Sequence, residues 1–279
     1  MNIIHEISSE EEKEHFFKGA PSSLCKYRNW DDDFHKLVIT DQELYFPSPE
    51  KFNDPYDCGL PFKQHPENSD PAVIKLRIEE TASNIFPDIS GAELEEKCAK
   101  QVLLIQQNPE SWFEMSWGYA PSDLNKLFGV LSLTPHPKNY LMWSHYAQSH
   151  KGFCVEFDTR LLVESVAGHY QKVTYSKDIP YFSIRDKIEE GLITKLLYTK
   201  SEDWFYEDEY RITRIHCANT SIRFDPSALI GIYFGYKMPP EHQVEIIDRA
   251  KPLYPHTKFY KMDLSKDKFE LEIGEVKLF

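Results

Sequence analysis

The 279 residues carry 32 basic against 45 acidic side chains, a formal net charge of −13, with 41% hydrophobic and 14% aromatic content; such a chain buries roughly three quarters of its unfolded surface and folds without a staple. The acidic balance, with no clustered Lys or Arg, repels a phosphate backbone and argues against duplex nucleic acid as a ligand. No run approaches the ~20 apolar residues of a membrane helix, and residues 1–15 are acidic where a signal peptide is basic and then apolar, so neither membrane association nor secretion is expected.

A short strand at 24–28 is followed by an amphipathic helix through Phe34, Leu37 and Val38 and a second strand at 44–46. A Pro/Asn/Asp-rich loop covers 47–61. From there to 127 the apolar positions recur at three and four (Val73, Leu76, Ile85; Leu94, Cys98, Val102, Leu103) and β-branched alternation is nearly absent, which predicts a helical insertion or cap at about 66–127. Strand character returns at 128–134, then a helix at 139–149 and a strand at 152–157. A helix through Ile188, Leu192, Lys195 and Leu196 precedes strands around 210–216, 229–234 and 258–262. Nothing marks a linker or a repeat, so the expectation is one domain over 1–279, an α+β fold with a mixed, mostly antiparallel sheet. Cys25, Cys58, Cys98, Cys154 and Cys217 stand singly and are odd in number, which fits a reduced, cytoplasmic protein and no zinc site.

Three strings are dense in polar and aromatic residues. Phe52-Asn53-Asp54-Pro55-Tyr56-Asp57-Cys58 reads as a turn, because Asn and Asp side chains bond nearby amides and Pro fixes φ, and it can place Asn53, Asp54 or Asp57 at a cleft. In 141–150, Trp143, Tyr146, Ala147 and His150 share one helical face, a core pattern. His145 and His150, five apart, lie about 140° apart around a helix and do not make a metal pair. In 200–212, an extended chain from Glu207 puts Glu207, Glu209 and Arg211 on one face, with carboxylates about 7 Å apart. Acids interleaved with Trp204, Phe205, Tyr206 and Tyr210 suit a cleft; a solvated acidic face with Arg211 as an exposed ion-pair partner is the plainer alternative.

Together these strings resemble the bacterial family catalogued as domain of unknown function 2971. The residues that carry the likeness, over 24–269, are Lys26-Tyr27-Arg28, Tyr45-Phe46, Phe52-Asn53-Asp54-Pro55, Met142-Trp143-Ser144-His145-Tyr146-Ala147, His150-Lys151-Gly152-Phe153 and Trp204-Phe205-Tyr206-Glu207-Asp208-Glu209-Tyr210-Arg211. The chain is also similar, more distantly, to ADP-ribosyltransferase folds of the arginine-serine-glutamate type. Those carry an Arg on the first core strand, a Ser-x-Ser/Thr on a later strand leading into a helix and another strand, and a Glu-x-Glu entering a further strand. Here Arg28, Ser132-Leu133-Thr134 and Glu207-Asp208-Glu209 stand in that order.

That second resemblance implies an ADP-ribosyltransferase-like core consuming NAD as co-substrate with no metal, acting on a protein or nucleic-acid acceptor or on water, as a toxin or anti-phage effector. Glu209 would stabilise the sugar's oxocarbenium character, and Glu207 would take the nucleophile's proton. Arg28 would hold the dinucleotide's phosphates bidentately, with Ser132 and Thr134 positioning the glutamate or ribose and Tyr27, Trp143 or Tyr146 stacking on nicotinamide. His145, Asn53 and Asp54 complete the candidate binding set. The helical insertion and Phe52-Asn53-Asp54-Pro55 have no counterpart in that pattern, and Arg28 paired with Asp31 or Asp32 is the plain alternative for that residue. Two other functions compete: a metal-dependent phosphodiesterase or nuclease built on Asp54, Asp57, His145, Glu207 and Glu209, and a non-enzymatic module binding a nucleotide or a basic partner.

Overall fold

The computed structural model describes residues 9–61, 63–85, 91–108, 125–186 and 188–276. The strands are β1 (Ser23–Arg28), β2 (Glu43–Phe46), β3 (Lys63–Gln64), β4 (Phe128–Leu133), β5 (Phe153–Asp158), β6 (His169–Lys172), β7 (Thr174–Ser176), β8 (Tyr181–Phe182), β9 (Thr199–Ser201), β10 (Tyr210–Ile215), β11 (Thr220–Arg223), β12 (Leu229–Phe234), β13 (Lys258–Leu264) and β14 (Leu271–Glu275). The larger sheet runs β1-β5-β12-β13-β14 and the smaller β4-β10-β6. Within these two sheets only β12 and β13 pair in parallel, so the expected mixed, mostly antiparallel α+β fold is observed.

Alternation along β5 divides the larger sheet's two faces. Phe153, Val155 and Phe157, with Ile232 and Phe234 beside them, are buried in one cluster with Val38, Leu162 and Ile246. These last come from helices at Asp33–Thr40, Thr159–Val166 and Pro240–Leu253. Cys154, Cys25, Tyr27 and Tyr233 point the other way, into a cluster with Met142, Trp143 and Ala147. Helices at Pro71–Ile85 and Gly91–Gln107 fill the expected insertion, and Val73, Ile74 and Ile105 join Phe128, Val130 and Tyr198 in a third cluster. Parts of the insertion reading, 86–90 and 109–124, and residues 1–8 of the acidic stretch at 1–15 lie outside the described residues.

Among the described residues one isolated bridge joins the backbones of the two sheets. Cys25 and Thr134 form an isolated antiparallel bridge, with Cys25 N–H to Thr134 O at 2.7 Å and Thr134 N–H to Cys25 O at 3.0 Å. Beyond it β1 pairs only with β5 and β4 only with β10, so a seam opens between residues 26–28 and 130–132.

Three local expectations are corrected. The helix expected at 139–149 ends at Tyr146, because Gln148, Ser149 and His150 all have positive φ; His150 therefore folds back to stack on Trp143, centroids 6.5 Å apart. The helix through Ile188 begins as a π-helical turn, Ile188–Ile193, before an α-helix at Thr194–Tyr198. The strand expected from Glu207 begins at Tyr210; Glu202–Glu207 is a 3₁₀ turn closed by Asp208 at φ 44°, ψ 52°.

Gly152 enters β5 where the chain passes behind Arg28. A Cβ there would stand 2.1 Å from Arg28 O and 3.0 Å from Ala147 O, both backbone atoms that cannot rotate away. Gly152→Ala is expected to cost about 1–3 kcal/mol, lowering the melting temperature by roughly 3–10 °C in thermal unfolding. A melting temperature within 1 °C of wild type would show that the turn yields freely.

Candidate functional site

The seam holds a cavity of about 490 Å³, within the usual range for a small-molecule site. Three strands and their ends supply much of its wall, with Asn53, Asp57, His145, Tyr146 and Lys200 among the rest. Strand β1 contributes Lys26 and Arg28, the end of β4 contributes Ser132 and Thr134, and the approach to β10 contributes Glu209. Ser132 faces Arg211 across the β4–β10 ladder, so the period of two puts Thr134, Ser132, Arg211 and Glu209 on the same side of that sheet.

Asp208 determines how the two glutamates meet. Its left-handed backbone breaks the extended run, and its carboxylate is held by Lys172 at 2.6 Å and His136 at 3.0 Å. Glu207 and Glu209 consequently approach Lys200 Nζ together, at 2.6 and 3.0 Å, with Asp57 Oδ2 at 3.3 Å. Glu207 also accepts the Tyr146 hydroxyl at 2.7 Å. Behind them Arg211, 0% exposed, donates to Glu209 from Nε at 2.8 Å and Nη2 at 3.0 Å, to Asp57 at 2.6 Å and to Leu197 O at 2.6 Å. Two cations against three carboxylates leave one net negative charge at this end.

The two glutamates are pushed apart in acidity. Burial raises the Glu209 carboxyl, but Arg211, Lys200 and a hydrogen bond from Ser132 outweigh it and hold Glu209 well below the usual carboxylate range. Burial dominates at Glu207 and raises it, against Lys200 and Tyr146. Burial also works against the Lys200 ammonium, yet Glu209, Asp57 and Glu207 together lift it above its ordinary value. Paired carboxylates of opposite displacement suit one permanently charged and one proton-exchanging role.

The opposite end is cationic. Arg28 is buried and, among the described residues, forms no ion pair; burial lowers it to about 10, against the field of Asp32. Asp32 instead caps the helix at Asp33–Thr40, accepting from Phe34 and His35 amides, and Asp31 accepts from Gln148. The alternative reading of Arg28, an ion pair with either, is thus not met among the described residues.

Of the residues expected at a site, Tyr27, Arg28, Asn53, Ser132, Thr134, His145, Tyr146, Glu207 and Glu209 line the cavity, whereas Trp143 and Asp54 do not. Trp143 is fully buried, donating Nε1–H to Pro137 O at 2.8 Å with Tyr27 edge-on at 5.2 Å, so its ring is core and is closed to a ligand. The Asp54 carboxylate turns back on the Tyr56 amide at 2.9 Å, as an Asx turn requires. Tyr27 lends an edge, its hydroxyl committed to His136 O at 2.5 Å. Lys26 and Lys200 belong to the cavity and were not expected there, and Arg211 is buried where an exposed partner was the plain reading. Arg211 stands in a run, Tyr210-Arg211-Ile212-Thr213, that the structure buries at every position, in the central strand of the smaller sheet.

No helix among the described residues is long and apolar enough to cross a membrane. Among those residues no group of His, Cys, Asp and Glu is arranged to hold a metal ion; where three carboxylates converge, Lys200 Nζ occupies the centre. No curated protein and no solved structure matches the chain. Residues 142–212 match the family described as "Protein of unknown function (DUF2971)", a segment that includes Tyr146, Lys200, Glu207, Glu209 and Arg211.

Proposed function

We propose that this cavity binds NAD and breaks its nicotinamide–ribose bond, passing ADP-ribose to a protein or nucleic-acid acceptor or to water, as a toxin or anti-phage effector in a bacterial cytoplasm. One observation carries the reading: Arg28 on β1, Ser132 with Thr134 at the end of β4, and Glu209 just before β10, in the order the transferase resemblance implies, line one cavity at the junction of two sheets. Separation of charge along the cavity supports it. The cationic end suits the diphosphate, and the carboxylate end suits a sugar acquiring positive charge.

In this mechanism nicotinamide leaves neutral with the bonding electron pair. Positive charge develops at the ribose C1′ over Glu209, which is ionised at every working pH because Arg211 and Lys200 hold it so. An acceptor hydroxyl or water then bonds to C1′ and gives its proton to Glu207, whose raised affinity for protons fits a base. Tyr146, donating to Glu207, keeps that carboxylate aimed.

The test is nicotinamide release from NAD by the purified chain, with and without lysate as acceptor and with and without chelator. Release is expected to survive the chelator, since Lys200 takes the place a cation would need among the carboxylates. Arg28→Lys is expected to raise KM about tenfold or more with kcat nearly unchanged, because an ammonium loses the bidentate geometry. No release in any arm, or abolition by chelator, would overturn the reading; the latter result would point to the metal-dependent alternative.

A further inference from the structure

We propose that the cavity takes up a proton together with a phosphate-bearing anion, and that the Lys26 amine receives it. Only the class of ligand rests on the reading above; the linkage does not require that NAD be turned over.

The geometry is that of two cations with no carboxylate in ion-pair contact among the described residues. Lys26 and Arg28 are two residues apart on β1 and both line the cavity. The single side-chain hydrogen bond of Lys26 is to a neutral carbonyl, Ser132 O, at 2.6 Å. Nearby on the wall, Lys51 is spent on the Tyr45 hydroxyl at 2.7 Å and His35 Nδ1 accepts the Asn29 amide at 3.1 Å. The charged groups acting on Lys26 are Arg28 beside it, Lys200 of β9, and Glu207 and Glu209 beyond; His35 and Asp32 lie on the neighbouring helix, Asp33–Thr40 and its cap. None of the carboxylates makes an ion pair with Lys26 or Arg28 among the described residues.

Two adjacent cations in a partly enclosed site cannot both be held cheaply without a counter-ion. Arg28 keeps its charge, so Lys26 gives up its proton: burial first, and Arg28 second, lower it to about 7. A phosphate oxygen entering between them supplies a counter-charge that offsets both the burial and the repulsion, and Lys26 returns to the ammonium. The sign follows. Between about pH 7 and the usual lysine value near 10, the free site is neutral at Lys26 and the occupied one charged, so binding consumes protons and weakens as pH rises. His35, lowered to about 4 by burial and Arg28, exchanges protons only in a more acidic window.

The experiment is calorimetric titration of the full chain at pH 8.5 with ADP-ribose, whose diphosphate diester does not itself titrate there, and separately with sulfate. Buffers of different ionisation enthalpy report the protons exchanged. Uptake of about one proton per ADP-ribose is expected at pH 8.5, falling to a fraction at pH 6.5. Lys26→Arg keeps the charge permanently; it should still bind and take up no proton, which separates linkage from a folding defect. Lys26→Met should lose at least tenfold in affinity. Binding without uptake, uptake unchanged in Lys26→Arg, or no binding of either anion at millimolar concentration would overturn the proposal. If ADP-ribose binds with uptake but NAD is never cleaved, the linkage stands and the catalytic reading falls.

Discussion

Glu209→Gln is expected to lower kcat for nicotinamide release by about 10²–10³-fold while leaving KM for NAD within a few-fold, the signature of a charge used in the transition state and little before it. The structure explains why the loss should be large despite the amide's similar shape. Both carboxylate oxygens are in use, Oε1 by Arg211 Nε at 2.8 Å and Oε2 by Arg211 Nη2 and Lys200, each at 3.0 Å. An amide can serve only one side; its NH₂ must face a cationic donor. The variant therefore loses charge and orientation together, and a stability loss of about 1–3 kcal/mol should accompany it. Glu207→Gln is the internal comparison. It keeps the fixed charge under the sugar and removes the proton acceptor, so its defect should be smaller and should shrink with acceptors that ionise readily. Turnover within twofold of wild type in Glu209→Gln, in protein whose folding is verified, would remove Glu209 from the mechanism.

How much of this is legible in sequence depends on the range of the contact. Arg28, Ser132, Thr134 and Glu209 sit at strand ends, and strand patterning is local, so their order along the chain already suggests a shared locus. The carboxylate cluster is different. Asp57 and Arg211 are 154 residues apart in sequence, and no periodicity in either segment announces the pairing. Lys200 looks like one more charge in an acidic string; only the turn at Asp208, a left-handed residue that propensity does not single out, aims both glutamates at it. Trp143 illustrates the opposite case. Helical spacing places it correctly on a buried face with Ala147, and the stacking role implied by resemblance fails because the same spacing commits the ring to the core. The run of positive φ from Gln148 to His150 has no glycine to mark it, so the helix end at Tyr146 is invisible to the usual stop signals.

Arg211→Met is the substitution from which the largest loss of stability is expected. The guanidinium is fully buried and answers Glu209, Asp57 and Leu197 O at once. Methionine approximates its volume, so packing is roughly kept and the effect is electrostatic. Three carboxylates are then left to Lys200 alone. Breaking a buried pair from one side costs about 3–5 kcal/mol, a large part of a typical total of about 5–15 kcal/mol, and urea unfolding at pH 7 should read it as a lower midpoint. The pH dependence identifies the cause. In the wild type Glu209 titrates below its ordinary value, so its contribution is present above about pH 4.5 and is lost as pH falls through the depressed folded value. In the variant that depression shrinks to what Lys200 and Ser132 supply, and protonation of the cluster becomes a relief. The difference between the two proteins should accordingly be greatest at neutral pH and narrow below about pH 4.5. A purely steric defect would give a gap independent of pH, and a gap under about 1 kcal/mol at pH 7 would mean that water, and not Arg211, balances the glutamates.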